Sequence, residues 1–160
     1  SDILYQMFVE VASPAKPTLA RIAGLGDAYF EFFKRHRDYF RMYQYFENAQ
    51  FHKQVSPEML QTCTSHDGRI WDLVVGLFQQ AIKEGLFDTN LDPVQAAIIM
   101  WANGNAIMRQ MDRDDDYWKA HMKIDLEATL EKAYELILEG MMTKKGKTQY
   151  HAMKQAKEAA

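Results

Sequence analysis

The sequence has little of several features that would assign it to a specialised class of protein. Its single cysteine, Cys63, cannot close an internal disulfide or hold a structural zinc ion alone, so we interpret it as a small buried hydrophobic residue, with a reactive thiol as the alternative. The longest apolar runs, such as residues 96–101, are far shorter than the roughly 20 residues that cross a bilayer. No basic-then-apolar leader opens the sequence. We therefore expect a cytoplasmic protein that does not contact membranes.

Concentrated positive charge is missing from most of the chain. The formal net charge is −3, but the last 20 residues hold five lysines and one glutamate, which places +4 there and −7 on residues 1–140. Nucleic-acid binding needs a concentrated basic surface, so the acidic body argues against direct contact with DNA. We expect the lysine-rich residues 143–160 to form a frayed, solvated tail.

What the sequence does contain is typical of one globular domain. Its 160 residues are 48% hydrophobic and 26% charged, enough to build a single hydrophobic core. Apolar residues recur at helical spacing, and none of the segments alternates as a half-buried strand would. The pattern predicts an all-α helical bundle of about six helices. Residues 1–12 would end a longer connecting helix, residues 13–142 would form the domain proper, and residues 143–160 would be the tail.

Helix boundaries are marked by capping residues and prolines. The predicted helices cover residues 2–12, 18–35, 38–48, 57–85, 93–111 and 117–142. Pro14 and Pro17 cannot continue the first helix. Ser56 before Pro57 is typical of a helix start, and Gly85 of a helix end. Residues 92 and 93 repeat the start signal, and the acidic residues 112–116 indicate a break before the last helix.

The last two predicted helices have apolar surface on more than one side. We predict that this surface packs against the domain on one side and a second copy of the chain on the other. The candidate dimer-interface residues are Ile107, Met122, Leu126, Leu130, Ala133 and Ile137.

The order of elements resembles the regulatory domain of TetR-type transcriptional repressors. The resemblance covers about residues 3–142. It rests on YFEFFKRHRDYFRM at 29–42, AIKEGLF at 81–87, DPVQAA at 92–97 and WANG at 101–104. At the break in the first segment the sequence has His36-Arg37, where proline is commoner in the family.

The resemblance implies a homodimer that pairs through its last two helices in a four-helix bundle. It also implies a small, largely apolar effector that binds among the helices and shifts the dimer between DNA-competent and DNA-incompetent states. DNA would be contacted only through an N-terminal helix-turn-helix head. We find no such head in these residues.

Large aromatic rings and a few polar residues on apolar helices are the candidate ligand contacts. Asp67 follows the apolar stripe of its helix, where an unpaired charge is costly, and Cys63 lies one turn before it. Asp67 and Asn105 are each explained either by a buried hydrogen bond or by orientation of a ligand. The rings are explained by core packing or by a pocket. The candidate set is Phe33, Tyr43, Phe46, Cys63, Asp67, Trp71, Phe78, Trp101 and Asn105.

Catalysis and metal binding are not predicted. The histidines, including His66, lack the spacing of zinc or di-iron motifs, and Gly24 and Gly26 lack the strand and lysine of a phosphate loop. We predict no cofactor, no metal and no enzymatic activity. The prediction is a ligand-responsive regulatory domain; the alternative is a helical module that dimerises or docks a protein partner without a small ligand.

Overall fold

The computed structural model describes residues 2–160, apart from the side chains of residues 62–67. The described chain is helical, without β-strands, and one kink divides the sixth of its eight helical elements. The elements are α1 (Asp2–Val11), α2 (Thr18–Arg35), α3 (Arg37–Phe46), α4 (Ala49–His52), α5 (Pro57–Lys83), α6 (Pro93–His121), α7 (Leu126–Met141) and α8 (Lys144–Ala159). The predicted all-α class is confirmed. No described helix is both long and apolar enough to cross a membrane.

The capping signals in the sequence mark real helix ends. The Ser56 side chain accepts a hydrogen bond from the Met59 amide at the start of α5. Asp92 accepts hydrogen bonds from two amides at the start of α6. Gly85 follows α5 with φ of +73°, a conformation that glycine adopts without strain. These short-range predictions hold because each depends on the side chains beside one helix end.

The predicted break at residues 112–116 is found as a kink, but the single helix predicted over residues 117–142 is wrong. At Asp114, where φ is −139°, the kink separates two helical segments of α6, and the second segment ends at His121. Asp112 at this point is paired with Arg41 at 2.9 Å and with Arg37 at 3.4 Å, so its charge is compensated by α3. A second break follows α6, and α7 begins after Asp125, whose side chain caps it.

The predicted frayed tail is also wrong, because residues 144–159 form α8. Thr143 caps this helix through its hydroxyl, which accepts a hydrogen bond from the Gly146 amide at 3.1 Å. Gly146 and Tyr150 are buried. Lys154 pairs with Glu135 of α7 at 2.6 Å. The five lysines suggested a solvated tail, but apolar residues between them give α8 a face that packs on the domain.

The core lies between α2, α5, α6 and α7. Phe32, Phe33 and Phe40 are fully buried where α2 meets α3. Phe78 of α5 stacks on Phe87 with centroids 5.6 Å apart, next to the α8 contact. The backbones of Phe87 and Met142 form an isolated bridge, which ties the segment after α5 to the end of α7. Helices α1, α3 and α4 cover the remaining side of this core.

Candidate ligand-binding site

A cavity of about 370 Å³ lies among the helices, between α2, α5 and α6 on one side and α1, α3 and α4 on the other. The described wall is largely apolar, and eight of its 19 residues are aromatic: Phe8, Tyr29, Tyr43, Phe46, Trp71, Phe78, Trp101 and Tyr134. Aliphatic side chains, including Leu4, Ile22 and Val74, fill much of the rest. Small-molecule sites have this size and this mainly apolar character.

Five of the candidate ligand contacts line this cavity. They come from three helices that are distant in sequence: Tyr43 and Phe46 from α3, Trp71 and Phe78 from α5, and Trp101 from α6. The two tryptophans are in edge-to-face contact, with centroids 5.8 Å apart. The helices therefore bring these rings together around one space.

Three other candidates do not have described contacts with the cavity. Phe33 is 1% exposed and packs edge-to-face on Phe40 at 4.9 Å, so it belongs to the filled core and not to the wall. Phe33 lies on the predicted apolar face of α2, but Phe40 of α3 covers its ring. The side chains of Cys63 and Asp67, like that of His66, lie outside the described residues.

Asn105 lies behind the wall at the centre of a hydrogen-bond network. Its side chain is fully buried. Its Oδ1 accepts hydrogen bonds from the Tyr29 hydroxyl at 2.7 Å and from Gln44 Nε2 at 3.3 Å. Its Nδ2 donates to Glu47 Oε1 at 3.5 Å. Of the two explanations for Asn105, the buried hydrogen bond is the one observed, and its partners Tyr29 and Glu47 line the cavity.

The two buried phenols at the cavity are held in their neutral form. Burial is the main cause that raises the pKa of Tyr29, and the neighbouring Tyr134 and the carboxylate of Glu47 raise it further. Burial likewise raises the pKa of Tyr134, with a smaller contribution from Asp27. Both groups therefore act as neutral hydrogen-bonding groups at physiological pH.

Tyr134 reaches the cavity because two glycines make room for it. A Cβ at Gly104 would overlap the Tyr134 hydroxyl, and one at Gly26 would lie 3.0 Å from the Tyr134 ring. The space beside Gly104 is therefore filled by a side chain from α7. The absence of side chains at two positions lets one ring cross between α2 and α6.

Several wall residues carry no distinguishing signal in the sequence. Leu4 and Phe8 look like ordinary core positions of α1, and Tyr134 lies in an apolar stripe of α7. Glu47 ends α3 and resembles any exposed acidic residue in the sequence. The available signal was the pair of polar groups, Tyr29 and Asn105, on otherwise apolar helix faces, which predicts that they bond to each other.

No metal site is found where the structure describes side chains, since those side chains include no suitable group of three histidine, cysteine, aspartate or glutamate residues.

Comparisons with protein-family models, curated proteins and solved structures find no match. The interpretation of the site therefore rests on its own geometry.

The candidate dimer-interface residues are distributed over several environments. Leu126 and Leu130 are buried in the chain's own core, which leaves them no surface for a second copy. Ile107, Ala133 and Ile137 are half-buried, and Met122 lies exposed between α6 and α7. The candidate residues of α7 recur at helical spacing as predicted, but Leu126 and Leu130 lie on the side of α7 that packs against α6. The large hydrophobic side chains left exposed on α6 and α7 are Val94, Ile98, Ile99, Trp101, Tyr117 and Leu136.

Proposed function

We propose that this chain binds a small, largely apolar molecule in the cavity and serves as the regulatory domain of a TetR-type transcriptional regulator. The observation that carries the proposal is the cavity of about 370 Å³ with its aromatic wall. Small-molecule sites are concave, mainly apolar pockets of this size. A helical scaffold that only holds partners together needs no such pocket, whereas a ligand-binding domain requires one.

The position of α1 supports a regulatory role for the ligand. Leu4 and Phe8 of α1 line the cavity, so a bound molecule contacts this helix directly. Arg69 of α5 also contacts α1, through an ion pair with Asp2 at 2.8 Å and a cation–π contact with Tyr5 at 4.6 Å. A ligand that fits one position of α1 better than another shifts the population between the two positions. In the TetR-like arrangement, the equivalent helix leads to the DNA-binding head.

A second function, that of a dimerising or docking module, is supported by the surface of α6. Ile98 and Ile99 are 46% and 47% exposed, and Val94 and Trp101 extend the same apolar surface. Contiguous exposed apolar surface of this kind is typical of protein interaction sites. This function is compatible with ligand binding, and it becomes the better description if the cavity binds nothing.

The test uses a variant that fills the cavity and a control that makes the same change elsewhere. Val74 lines the cavity, whereas Val94 is exposed on α6. We expect the wild-type protein to bind Nile red, a neutral apolar dye, with a change in tryptophan fluorescence, because Trp71 and Trp101 are in the wall. Val74→Phe should weaken binding about tenfold or more, since the added ring occupies ligand space. Val94→Phe should bind like the wild type.

Native mass spectrometry of the purified chain complements this titration, because it reports subunit number and any retained small molecule together. A retained apolar molecule that is lost in Val74→Phe supports the ligand-binding proposal. Equal dye affinity in all three proteins, together with an empty dimer, would reject that proposal in favour of the docking module.

A further inference from the structure

Tyr29 and Tyr134 both line the cavity, but their hydroxyl groups differ in their hydrogen bonds. The Tyr29 hydroxyl donates to Asn105 Oδ1 at 2.7 Å, so its hydrogen is already used inside the protein. Tyr134 makes no side-chain hydrogen bond with the residues whose side chains the structure describes, and burial and the negative charge of Asp27 are the causes that raise its pKa. The Tyr134 hydroxyl therefore keeps a hydrogen that it can donate to a molecule in the cavity.

The Tyr134 ring is held in one place by its contacts with two helices. A Cβ at Gly26 of α2 would lie 3.0 Å from the ring, and a Cβ at Gly104 of α6 would overlap the hydroxyl. The ring thus lies close against both backbones, and its hydroxyl group has little freedom to lose when a ligand binds. The hydroxyl oxygen is not among the fully enclosed, unbonded side-chain atoms of the described chain, so a molecule in the cavity can reach it.

A placed hydrogen-bond donor in a mainly apolar wall makes a site selective. Buried polar groups in proteins are nearly always hydrogen-bonded, because an unpaired donor loses the bonds that it makes in water. A ligand with an acceptor at the right point restores such a bond, whereas an analogue without the acceptor leaves the hydroxyl unpaired. We therefore expect Tyr134 to distinguish between molecules of the same shape that differ in one acceptor atom.

A carbonyl oxygen is the acceptor that matches this group best. The Tyr134 phenol is neutral at physiological pH, and a neutral phenol donates more readily than it accepts, because its ring withdraws electron density from the oxygen. A carbonyl oxygen only accepts, and its two lone pairs allow approach over a broad range of directions. A hydroxyl group on a ligand also accepts, but burying it buries a donor that needs a partner of its own.

We propose that the cavity binds an apolar molecule that carries a carbonyl group, such as a diaryl ketone, and that the Tyr134 hydroxyl donates a hydrogen bond to this carbonyl. The aromatic wall contacts the apolar part of the molecule, and Tyr134 sets its orientation. This inference rests on the proposed ligand-binding function and specifies its ligand class.

The test compares benzophenone with its alkene isostere, which has C=CH₂ in place of C=O and nearly the same shape. Each is titrated by calorimetry into the whole chain, in the wild type and in Tyr134→Phe, which removes the hydroxyl but keeps the ring. Tyr134→Phe should weaken benzophenone binding about tenfold, since one hydrogen bond to the ligand is lost. Its affinity for the alkene should stay within about twofold of the wild type, because the alkene has no acceptor.

Tyr117→Phe is the matched control, because Tyr117 is exposed on α6 and lies outside the described wall. It should bind both probes like the wild type. Infrared spectroscopy of carbonyl-labelled benzophenone adds a readout that a change in packing would not reproduce. A hydrogen bond lowers the stretching frequency of a carbonyl, so the bound ketone should show a lower frequency in the wild type than in Tyr134→Phe. Circular dichroism verifies that the variants are folded.

Several outcomes would overturn the inference. An equal loss of affinity for both probes in Tyr134→Phe would show that the residue acts through packing. An unchanged affinity for benzophenone, or an unchanged carbonyl frequency, would show that its hydroxyl does not contact the ligand, and an equal loss in Tyr117→Phe would show a nonspecific effect. Failure of benzophenone to bind a protein that binds Nile red would reject the inference and leave the ligand-binding function intact. Nile red and Val74→Phe test that function separately, so the two failures are distinguishable.

Discussion

Two regions of this domain are built from similar residues but differ in how completely they are filled. The closed region, around Phe87, Met142, Gly146 and Tyr150, is packed so tightly that α8 approaches the backbone of Leu86. The hollow region, which α3 and α4 cover, leaves a cavity of about 370 Å³. Both contain several aromatic rings and at least one methionine. The difference shows that residue type alone does not decide whether a group of rings forms a core or a pocket.

Phe78 makes the comparison direct, because it belongs to both regions. It lines the cavity and stacks on Phe87 at 5.6 Å with an interplanar angle of 29°. The closed region therefore supports the wall of the hollow one. Changes in the closed region should alter the stability of the whole fold, whereas changes in the hollow region should alter ligand binding more than stability.

The largest expected effect comes from deleting a ring in each region. Phe87 is fully buried, so Phe87→Ala should lower the free energy of unfolding by about 3–5 kcal/mol. Phe46 is half-buried at the cavity, so Phe46→Ala should cost about 1 kcal/mol because little packing is lost. Urea denaturation followed by circular dichroism measures both. Equal costs would show that the two regions are packed alike.

A smaller effect is expected from adding one methyl group at a glycine. A Cβ at Gly146 would overlap the backbone carbonyl of Leu86 and lie 3.2 Å from the Met142 Cβ. Gly146→Ala should therefore destabilise the fold by roughly 2–3 kcal/mol as α8 moves away. Gly76 of α5 has nothing within 4 Å of its added Cβ, so Gly76→Ala should stabilise the fold by about 0.5–1 kcal/mol through helix propensity.

Thermal denaturation of the two glycine variants gives opposite shifts if this assignment of space is correct. A neutral or stabilising effect of Gly146→Ala would mean that α8 is loosely docked. That result would restore the sequence-based expectation of a frayed, solvated tail.

Those features of the fold that depend on residues within a single helix or at its ends could be predicted from the sequence. The bounds of α2 and the starts of α5 and α6 follow from proline, from capping side chains and from helical spacing. The acidic run at residues 112–116 marks the kink at Asp114, but the end of α6 at His121 and the separate start of α7 were not predicted. In the structure, arginines from α3 pair with Asp112, a contact across 71 residues that no local pattern contains.

The candidate site was predicted only in part for the same reason. Tyr43, Phe46, Trp71, Phe78 and Trp101 line the cavity because large rings on apolar faces must pack somewhere among converging helices. Whether a group of rings encloses a cavity or forms a filled core depends on how the covering helix packs against them. Helix α3 closes over Phe33 through Phe40, and that contact depends on the turn at His36, where the two helices meet. Glu47 was missed because its place at the wall arises only when α3 docks near Asn105.

The pH dependence of stability provides the smallest and most specific test of the hollow region. Burial raises the pKa of Tyr29 and Tyr134 above the ordinary value near 10, so each phenol stays protonated in the fold after it has ionised in the unfolded chain. The folded state then binds more protons than the unfolded state. Stability is therefore unaffected below about pH 9 and falls as pH rises above about 10, by about 1.4 kcal/mol per pH unit for each phenol.

Urea denaturation at a series of alkaline pH values measures this slope, and Tyr134→Phe should remove about half of the part contributed by the two phenols. Phenolate absorbance provides an independent readout, since these two of the chain's eight tyrosines should ionise last. Normal ionisation of Tyr29 and Tyr134 in the folded protein would show that water already fills the hollow region. An apolar ligand would then have to displace that water, so it should bind more weakly than it would to a dry cavity. Val74→Phe should still reduce its affinity. If the two phenols instead resist ionisation until the helices unfold, the cavity is dry and ready for an apolar molecule.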